Sequence, residues 1–280
     1  AAAMEMARLL RFPSAIDIDT FANGRIELLR FQLDDKNPLC GHKIRDLDTL
    51  SKCEVLVCIV ERENEVRIPG GEFVLENGDM ISVVASPLNA SRFFRTIGIE
   101  TNQVRNTMII GGGKISFYLA KRLLEMGIQV KIVEKDRAAC ERLCEQLPKA
   151  MIINGDGTDR DLLAEEGLAS AEGFAALTNM DEENVMLSLY AKSMSKAKKI
   201  TKVNRNTFDT IIGSLGIGSL IYPKHITSET ILQYVRAMQN SIGSNVETLY
   251  RLVDGNAEAL EFIIRGESEV TDIPLQELDI

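Results

Sequence analysis

The sequence predicts an α/β fold, in which a doubly wound parallel sheet is flanked by small α+β domains. Short apolar runs alternate with helix-period segments over residues 107–223, an alternation typical of a parallel sheet with helices on both faces. The preceding hundred residues instead carry closely spaced apolar runs separated by turn signals such as Asn23-Gly24 and Asn77-Gly78. Such spacing indicates antiparallel hairpins.

Composition and charge exclude several classes of protein. The chain has 280 residues, which is enough for two domains, and its hydrophobic content of 45% is that of a globular protein. The formal net charge is −9, and no run of lysine and arginine with interleaved aromatic residues offsets it, so a nucleic-acid binder is not expected. No apolar stretch approaches the length of a membrane span, and no signal peptide is recognisable.

The first segment, residues 1–100, is predicted to be one α+β domain. It begins with the end of a helix and closes with a helix at residues 86–98, for which Ser86 is the N-cap and Pro87 lies in the first turn. A short helix is expected at residues 43–50. The predicted strands cover residues 14–22, 25–33, 53–61, 65–68, 73–75 and 80–85. A polar linker over residues 100–105 then leads into the second segment.

The stretch from Thr107 to Asp136 has the pattern of a dinucleotide-binding βαβ unit. An apolar run at residues 108–110 meets three glycines, a helix-period segment follows, and a second apolar run at residues 130–133 ends in Glu134. A strand, a glycine-rich turn, a helix, a strand and an acid in this order predict a Rossmann-like nucleotide-binding fold. The alternative is a scaffold of the same fold in which the glycines serve turn geometry alone.

Each residue of this unit has an expected role in binding a nucleotide. The glycine triplet is Gly111, Gly112 and Gly113. Gly111 permits the tight turn, and Gly113 lets a pyrophosphate approach the backbone at the helix N-terminus. Glu134 can accept hydrogen bonds from both ribose hydroxyls, and its charge would repel a 2′-phosphate, so NAD is favoured over NADP. Ser116 stands where a third glycine or alanine is usual, a departure expected to loosen the packing of helix on strand.

Polar residues also follow three further strands of the predicted parallel sheet. Asp156 follows the third strand and either contacts adenine or serves the turn. Thr178 and Asn179 follow the fourth, where they either face the pyrophosphate and nicotinamide or close a turn. Lys202 points from the fifth strand and either neutralises a phosphate or is a solvated edge charge. The six predicted strands cover residues 108–110, 130–133, 150–153, 173–177, 199–203 and 219–222.

Few residues suit catalysis or metal binding. The five cysteines are odd in number and contain no CxxC pair, which indicates reduced thiols in a cytosolic protein. Cys140 and Cys144 lie four apart on a predicted helix, a spacing that suits a metal or reactive pair but more often reflects two buried or half-buried thiols. His42 and His225 are the only histidines. No catalytic residue and no metal site are therefore predicted.

The last segment, residues 225–280, repeats features of the first. A helix is predicted over residues 225–243 with Thr227 or Ser228 as its N-cap, followed by strand-like sequence. Four residues recur at an offset of 228 to 231, namely Arg8 with Arg236, Gly24 with Gly255, Phe31 with Phe262 and Ile44 with Ile273. These matches predict a tandem protein, of which the chain is a fragment that continues at both ends.

These motifs together resemble the TrkA family, the RCK (KTN) regulatory subunits of bacterial Trk potassium uptake systems. The resemblance covers nearly the whole chain and rests on IIGGGKISFYLAKRL, IVEKDRAACERL, INGDGTDRDLLAEEGL, ALTNMDEENVMLSLYAK and IYPKHITSETI. Of these, TNMDEEN is the most discriminating. The resemblance identifies residues 1–100 as an RCK C-type domain with the end of a crossover helix, 105–224 as the NAD-binding RCK N-domain, and 225–280 as a crossover helix and the start of a second C-type domain.

The resemblance implies a regulator rather than an enzyme. Members of the family bind NAD(H), and often ATP or ADP at the same site, and gate a membrane potassium-transporting subunit as homo-oligomers of RCK domains. Carried over to this sequence, the nucleotide contacts fall on Gly111 to Ile115, which includes Lys114, and on Glu134, Thr178, Asn179 and Lys202. Lys202 stands where many relatives have arginine, which puts bidentate phosphate contact in doubt. Different ligands would make different contacts with Asp156, Thr178 and Lys202. They would therefore favour two arrangements of a pair of Rossmann-like domains unequally and shift the populations of these arrangements.

Two other functions compete with this interpretation. An NAD-dependent oxidoreductase would need a proton donor near the nicotinamide, for which His225 is the only candidate in the Rossmann-like half. A scaffold that binds no nucleotide would use the glycines for turn geometry alone. Titration with NADH separates the scaffold from the other two, and a substrate-dependent change in NADH absorbance would identify the oxidoreductase.

Overall fold

The computed structural model describes residues 1–22, 25–63, 65–99, 102–205, 209–240, 246–253, 256–262, 264, 271–273 and 277. These residues form two compact units, which cover residues 1–227 and 228–280. The first unit contains an antiparallel sheet and a parallel sheet. The predicted α/β fold with a six-stranded parallel sheet and an adjoining α+β region is confirmed.

The antiparallel sheet has five strands in the order β1-β2-β5-β3-β4. They are β1 (Asp17–Phe21), β2 (Ile26–Gln32), β3 (Leu56–Arg62), β4 (Glu65–Arg67) and β5 (Met80–Ala85). The helices of this region are α1 (Ala2–Arg11), α2 (Leu47–Ser51) and α3 (Pro87–Thr96). Ser86 caps α3 as predicted, since its side chain accepts a hydrogen bond from Asn89 N at 3.3 Å. The predicted hairpin turn at Asn23-Gly24 lies outside the described residues.

The strand predicted at residues 73–75 is wrong. Val74 makes a single isolated bridge with Lys43. Phe73 N instead donates to Gly70 O, which closes a turn, and the carbonyl of Phe73 accepts from Ile44 N at 3.0 Å. Two successive glycines before Phe73 favour this turn over an extended strand.

The parallel sheet has the order β11-β10-β9-β6-β7-β8, and every pairing in it is parallel. Its strands are β6 (Asn106–Ile110), β7 (Gln129–Glu134), β8 (Met151–Asn154), β9 (Gly173–Ala176), β10 (Lys198–Lys202) and β11 (Ser219–Ile221). The intervening helices are α4 (Lys114–Glu125), α5 (Arg137–Gln146), α6 (Arg160–Glu165), α7 (Asp181–Met194) and α8 (Asp209–Ser214). The chain proceeds outward from β6 through β7 and β8 and then returns to β9. The topological switch point, where ligands bind in such sheets, therefore lies between β6 and β9.

The two faces of this sheet are covered by different helices. One core cluster joins Ile109, Ala175 and Ile200 of the sheet to buried residues of α1, α4 and α5. The other joins Ile110 and Ala176 to buried residues of α6 and α7. Neighbouring residues of a strand point to opposite faces, which explains why Ile109 and Ile110 belong to different clusters.

Helix α1 packs on α4, so the first helix of the chain covers the parallel sheet. Leu10 of α1 is fully buried, and a Cβ on Gly173 of β9 would lie 2.8 Å from Leu10 Cδ2. The chain after α1 contacts the sheet edge, where Ser219 Oγ donates to Ile16 O at 2.7 Å and Lys198 Nζ donates to Ala15 O.

The last helix, α9 (Pro223–Asn240), begins earlier than predicted. Thr227 and Ser228 are not its N-caps. Pro223 starts the helix because its fixed φ suits the first turn, and Thr227 Oγ1 bonds back to Pro223 O at 2.7 Å within it. In the second unit, β12 (Val246–Leu252) and β13 (Ala257–Phe262) form an antiparallel hairpin. Gly255, one residue of the predicted repeat, lies outside the described residues. Within the described helices, none is long and apolar enough to cross a membrane.

Candidate functional site

The glycine triplet forms a tight loop between β6 and α4 at the switch point. Gly111 adopts a φ of +99°, and its N–H donates to Val133 O at 2.9 Å. A Cβ on Gly111 would lie 3.0 Å from Leu177 O, so the loop presses against the end of β9. A left-handed φ and a close backbone neighbour both require glycine at this position.

Gly112 is enclosed by side chains of the next strand and helix. A Cβ there would lie 2.8 Å from Leu143 Cδ1 and 2.9 Å from Glu134 Cγ. A Cβ on Gly113, in contrast, would meet nothing within 4 Å. Gly113 is therefore the glycine of the triplet that faces open space, and a ligand can approach the backbone there.

The N-terminus of α4 is open to a ligand. Gly113 is the N-cap and has no side chain to accept a hydrogen bond from the first turn. The first backbone N–H groups of a helix have no partner within the helix, and here they belong to Lys114, Ile115 and Ser116. Such groups, with the positive end of the helix dipole, form a site for an anion.

Ser116 contributes its backbone rather than its side chain to this edge. Ser116 is fully buried, and its Oγ has no hydrogen-bond partner among the described residues. The serine hydroxyl is therefore enclosed between α4 and the sheet and is out of reach of a ligand.

Glu134, at the end of β7, is directed back to the glycine loop. Its Oε2 accepts from Gly112 N at 2.6 Å, and its Oε1 accepts from Asp136 N at 2.7 Å. A carboxylate oxygen can accept two hydrogen bonds, so each oxygen retains capacity for a ribose hydroxyl. Glu134 thus lies beside the loop, as the sequence predicts, and the loop fixes its direction.

Asp156 takes part in a turn after β8. Its Oδ1 accepts from Thr158 N at 2.8 Å and from Thr158 Oγ1 at 2.7 Å, and these hydrogen bonds lower the pKa of Asp156. A Cβ on Gly157 would lie 2.2 Å from Ile110 Cγ2, so this turn packs against the end of β6. Asp156 therefore serves the turn, which is one of the two roles that the sequence predicts for it. Its carboxylate is also exposed at the edge of the site.

Thr178 is engaged in hydrogen bonds at the end of β9, whereas Asn179 is exposed. Thr178 Oγ1 accepts from Met180 N at 3.2 Å, and Thr178 N donates to Asn184 Oδ1 at 2.8 Å. Sequence reasoning singled out the TNMDEEN stretch but missed Asn184 as a residue of the site. The available signal was its spacing from Asp181, because two polar residues three positions apart on a helix lie on the same face.

Lys202 is buried at the end of β10 and is not a solvated edge charge. It is 6% exposed, and no hydrogen bond or ion pair of its ammonium occurs within the part of the chain that the structure describes. Burial lowers the pKa of Lys202, and the nearby Asp181 carboxylate opposes that shift. Lys202 shares a sheet face with Ile200, the face covered by α4. A buried cation on that face favours an anionic ligand.

The candidate site therefore consists of an open helix N-terminus, an acid beside it and a buried lysine on the same sheet face. These groups match the parts of a dinucleotide: phosphates at the loop and lysine, and ribose hydroxyls at the acid. The histidines and cysteines do not join this group. His225 is exposed in α9, next to the edge strand β11, and two strands separate that strand from β6. Cys140 is buried and its Sγ donates to Glu134 O at 3.2 Å.

Sequence comparison identifies two domain families in the chain. The TrkA-N domain matches residues 107–223, and the TrkA-C domain matches residues 28–98. The chain is 30% identical over 279 residues to the Trk system potassium uptake protein TrkA homolog 2 of Methanosarcina mazei, covering 99% of this chain and 60% of that protein. It is 28% identical over 270 residues to the Trk system potassium uptake protein TrkA of Haemophilus influenzae, covering 96% of this chain and 57% of that protein. The chain thus spans about three fifths of the length of these relatives.

Solved structures share the fold. The GsuK channel bound to NAD superposes with a TM-score of 0.59 at 14% identity, covering 89% of this chain and 45% of that chain. The GsuK RCK domain gives the same TM-score and identity and covers 89% of this chain and 54% of that chain. At this identity the likeness shows the fold alone.

Proposed function

The chain belongs to the TrkA family, with a TrkA-N domain and a TrkA-C domain, and on this premise we propose that it is the nucleotide-sensing regulatory part of a potassium uptake system. The observation that carries the proposal is the candidate site itself. An open helix N-terminus, Glu134 and the buried Lys202 lie on one sheet face, at the carboxyl ends of β6, β7 and β10 on the two sides of the switch point. His225, the proton donor that an oxidoreductase would need, follows the edge strand β11, which two strands separate from β6, and this favours a binding role over an enzyme.

The proposed ligand is NAD(H). The phosphates would accept from the N–H groups at Gly113 to Ser116 and pair with Lys202, while the ribose hydroxyls would donate to Glu134. The negative charge of Glu134 disfavours a 2′-phosphate, which argues for NAD over NADP. A structural neighbour of the same fold is described as bound to NAD. ATP or ADP would share the phosphate and ribose contacts and compete for the site.

The proposed ligand-binding residues are those of the loop, the acid and the strand ends. They are Gly111, Gly112, Gly113, Lys114, Ile115, Ser116, Glu134, Asp156, Thr178, Asn179 and Lys202. Ser116 acts through its backbone because its side chain is fully buried.

The proposed partner is a membrane potassium-transporting subunit of the Trk type. The curated relatives are named as Trk system potassium uptake proteins, which supports this assignment. The chain would act in the cytoplasm at the inner face of the membrane, as a homo-oligomer of RCK domains, with no role in nucleic-acid binding. The proposed division is an RCK C-type domain at residues 1–100, an N-domain at 105–224, and a crossover helix with the start of a second C-type domain at 225–280. A ligand that binds two arrangements of these domains unequally would shift their populations.

The test is a titration of the chain with NADH, followed by nicotinamide fluorescence, with ATP and NADPH as competitors. We expect saturable binding, displacement by ATP and weaker competition by NADPH. Glu134→Ala removes the acceptor of two ribose hydroxyls and is expected to weaken NADH binding by about tenfold, or ~1.4 kcal/mol. Glu125→Ala is the matched control, because this exposed acid lies at the C-terminal end of α4.

The alternatives predict different results. If no nucleotide binds, the chain is a scaffold and the proposal fails. If an added substrate changes the absorbance of NADH in a manner that His225→Ala abolishes, the chain is an oxidoreductase. Only after nucleotide binding is established does a potassium flux assay with a Trk-type membrane partner test the regulatory role.

A further inference from the structure

Asn184 lies beneath the candidate site and is completely buried. Its Oδ1 accepts from Thr178 N at 2.8 Å, and its Nδ2 donates to Thr178 O at 3.1 Å and to Lys202 O at 3.0 Å. A side-chain amide has one acceptor oxygen and two donor hydrogens. Both kinds of group are used here to join the ends of β9 and β10.

The chemistry of this contact requires an amide of this length. A carboxylate of the same shape would place an oxygen against two carbonyl oxygens, and an aliphatic side chain would leave the Thr178 amide without a partner. An unpaired buried donor or acceptor destabilises the site by about 1–3 kcal/mol. Asn184 is therefore suited to hold two strand ends at a fixed separation.

Asp181, one turn earlier on α7, holds the chain that follows β10. Its Oδ1 accepts from Asn204 N at 2.9 Å and from Asn204 Nδ2 at 2.8 Å, and its Oδ2 accepts from Arg205 N at 3.0 Å. The first turn of α7 is thus bonded to the segments after both strands. A displacement of either segment by a ligand would be transmitted to α7.

We propose that Asn184 is a positioning residue that sets Asn179 and Lys202 against the glycine loop, and that it controls recognition of one half of the nucleotide. Asn179 and Lys202 lie at the ends of β9 and β10, on the far side of the switch point from Glu134. Asn184 therefore governs the nicotinamide half of NAD(H), including the phosphate of that half, which pairs with Lys202. The AMP half, with its own phosphate, depends on Glu134 and the loop. This inference rests on the proposed function and assigns α7 as the element that responds to the nicotinamide half.

The test compares NADH with AMP, since AMP lacks the nicotinamide half. Dissociation constants are measured for both ligands with the wild type, Asn184→Leu and Asn184→Ser. We expect each variant to bind NADH about tenfold more weakly, or ~1.4 kcal/mol, and AMP within about twofold of the wild type. The matched control is Asn106→Leu, because Asn106 Oδ1 accepts from Glu172 N at 3.1 Å at the amino end of β6, the end of the strand away from the candidate site. It is expected to leave the ratio of the two affinities unchanged.

A second measurement follows amide hydrogen exchange at Thr178 in the absence of nucleotide. We expect faster exchange in the Asn184 variants and wild-type exchange in Asn106→Leu. Unchanged exchange at Thr178 would overturn the role of Asn184 as a tie between strand ends, and an unchanged ratio of NADH to AMP affinity would overturn its control of recognition. Failure of the wild type to bind NADH and AMP would overturn the proposed function, so the failures are distinguishable. If Asn184→Leu does not fold, Asn184→Ser gives the same comparison.

Discussion

The three glycines of the loop have different physical requirements. Gly111 combines a φ of +99° with a carbonyl oxygen 3.0 Å from the position of a Cβ, whereas Gly113 has an extended backbone and open space around it. Gly111 is therefore constrained by folding, and Gly113 is constrained only by what approaches from outside. The sequence already separates the two glycines, since it predicts a tight turn at Gly111 and an approachable backbone at Gly113.

This difference predicts that Gly111→Ala lowers stability. A non-glycine residue in the left-handed region costs about 1–2 kcal/mol, and the contact with Leu177 O adds to that cost. We expect the free energy of unfolding in urea to fall by roughly 2 kcal/mol. An unchanged free energy of unfolding would contradict the geometry of the loop.

Gly113→Ala is expected to behave in the opposite way. Its added Cβ meets no protein atom, so the free energy of unfolding should stay within about 1 kcal/mol of the wild type. The same Cβ would occupy the space proposed for a phosphate, so NADH binding should weaken by about tenfold. Wild-type binding by Gly113→Ala would place the phosphates elsewhere.

Ser116 carries an energetic cost that alanine would remove. Its hydroxyl is fully buried and has no hydrogen-bond partner among the described residues, and such a group costs about 1–3 kcal/mol. Ser116→Ala is therefore expected to raise the free energy of unfolding by about 1 kcal/mol, measured by thermal or urea unfolding. A decrease in stability would show that the hydroxyl has a partner in solution.

Single residues also show where sequence reasoning reaches its limit. Glu134 could be predicted because its partner, the glycine loop, lies next to β7 in a known local pattern. Asn184 could not, because its role depends on two carbonyl groups contributed by separate strands. The sequence contains the TNMDEEN stretch, but it does not indicate which of its polar groups turn inward.

At the scale of elements, local signals predict strands and helices well where they coincide with packing. Strand β5 spans Met80–Ala85 as predicted, because a nearly continuous apolar run fills the centre of its sheet. The predicted start of α9 is wrong, although Thr227 and Ser228 are both residue types that suit an N-cap. Pro223, five residues before Ser228, satisfies the requirements of the first turn and extends the helix.

The contact of α1 with the parallel sheet is an element-scale feature that local patterns did not predict. Leu10 is fully buried against Gly173 of β9, so Leu10→Ala should lower the free energy of unfolding by about 2–5 kcal/mol. Leu88→Ala is the control, because Leu88 is 62% exposed in α3 and should change stability by less than about 0.5 kcal/mol. Equal effects of the two changes, measured in urea, would mean that α1 does not support the sheet.

At the scale of the whole first unit, charged groups are gathered where α1 and β1 meet the parallel sheet. Burial raises the pKa of Glu5 from 4.5 to about 8, and the carboxylates of Asp17 and Asp19 add to this shift while Arg8 opposes it. Burial lowers the pKa of Lys198 from 10.5 to about 8, an effect that Asp17 opposes. Both groups thus bind or release protons in the same pH range. No local sequence pattern reveals this, since Glu5 and Lys198 are far apart in the chain.

The two shifts give opposite slopes of stability against pH. Glu5 binds a proton more tightly in the folded chain than in the unfolded chain. Its contribution to the free energy of unfolding is therefore fully present below pH 4.5 and is lost as the pH rises to about 8. Lys198 binds its proton less tightly when folded, so its contribution is present above pH 10.5 and is lost as the pH falls to about 8. Together, Glu5 and Lys198 are expected to contribute least to the free energy of unfolding near pH 8.

Glu5→Gln tests this prediction because glutamine mimics the protonated acid and does not titrate. Between pH 5 and 8 the melting temperature of the wild type should decline relative to that of Glu5→Gln, and the two curves should converge toward pH 4.5. Because both proteins share all other titrating groups, the difference between their melting temperatures reports on Glu5 alone. Glu145→Gln, at an exposed position of α5, is the control for a simple change in net charge. Parallel melting curves for wild type and Glu5→Gln would show that Glu5 titrates as an ordinary surface acid, and that the segment between α1 and β1 is not closed against the sheet in solution.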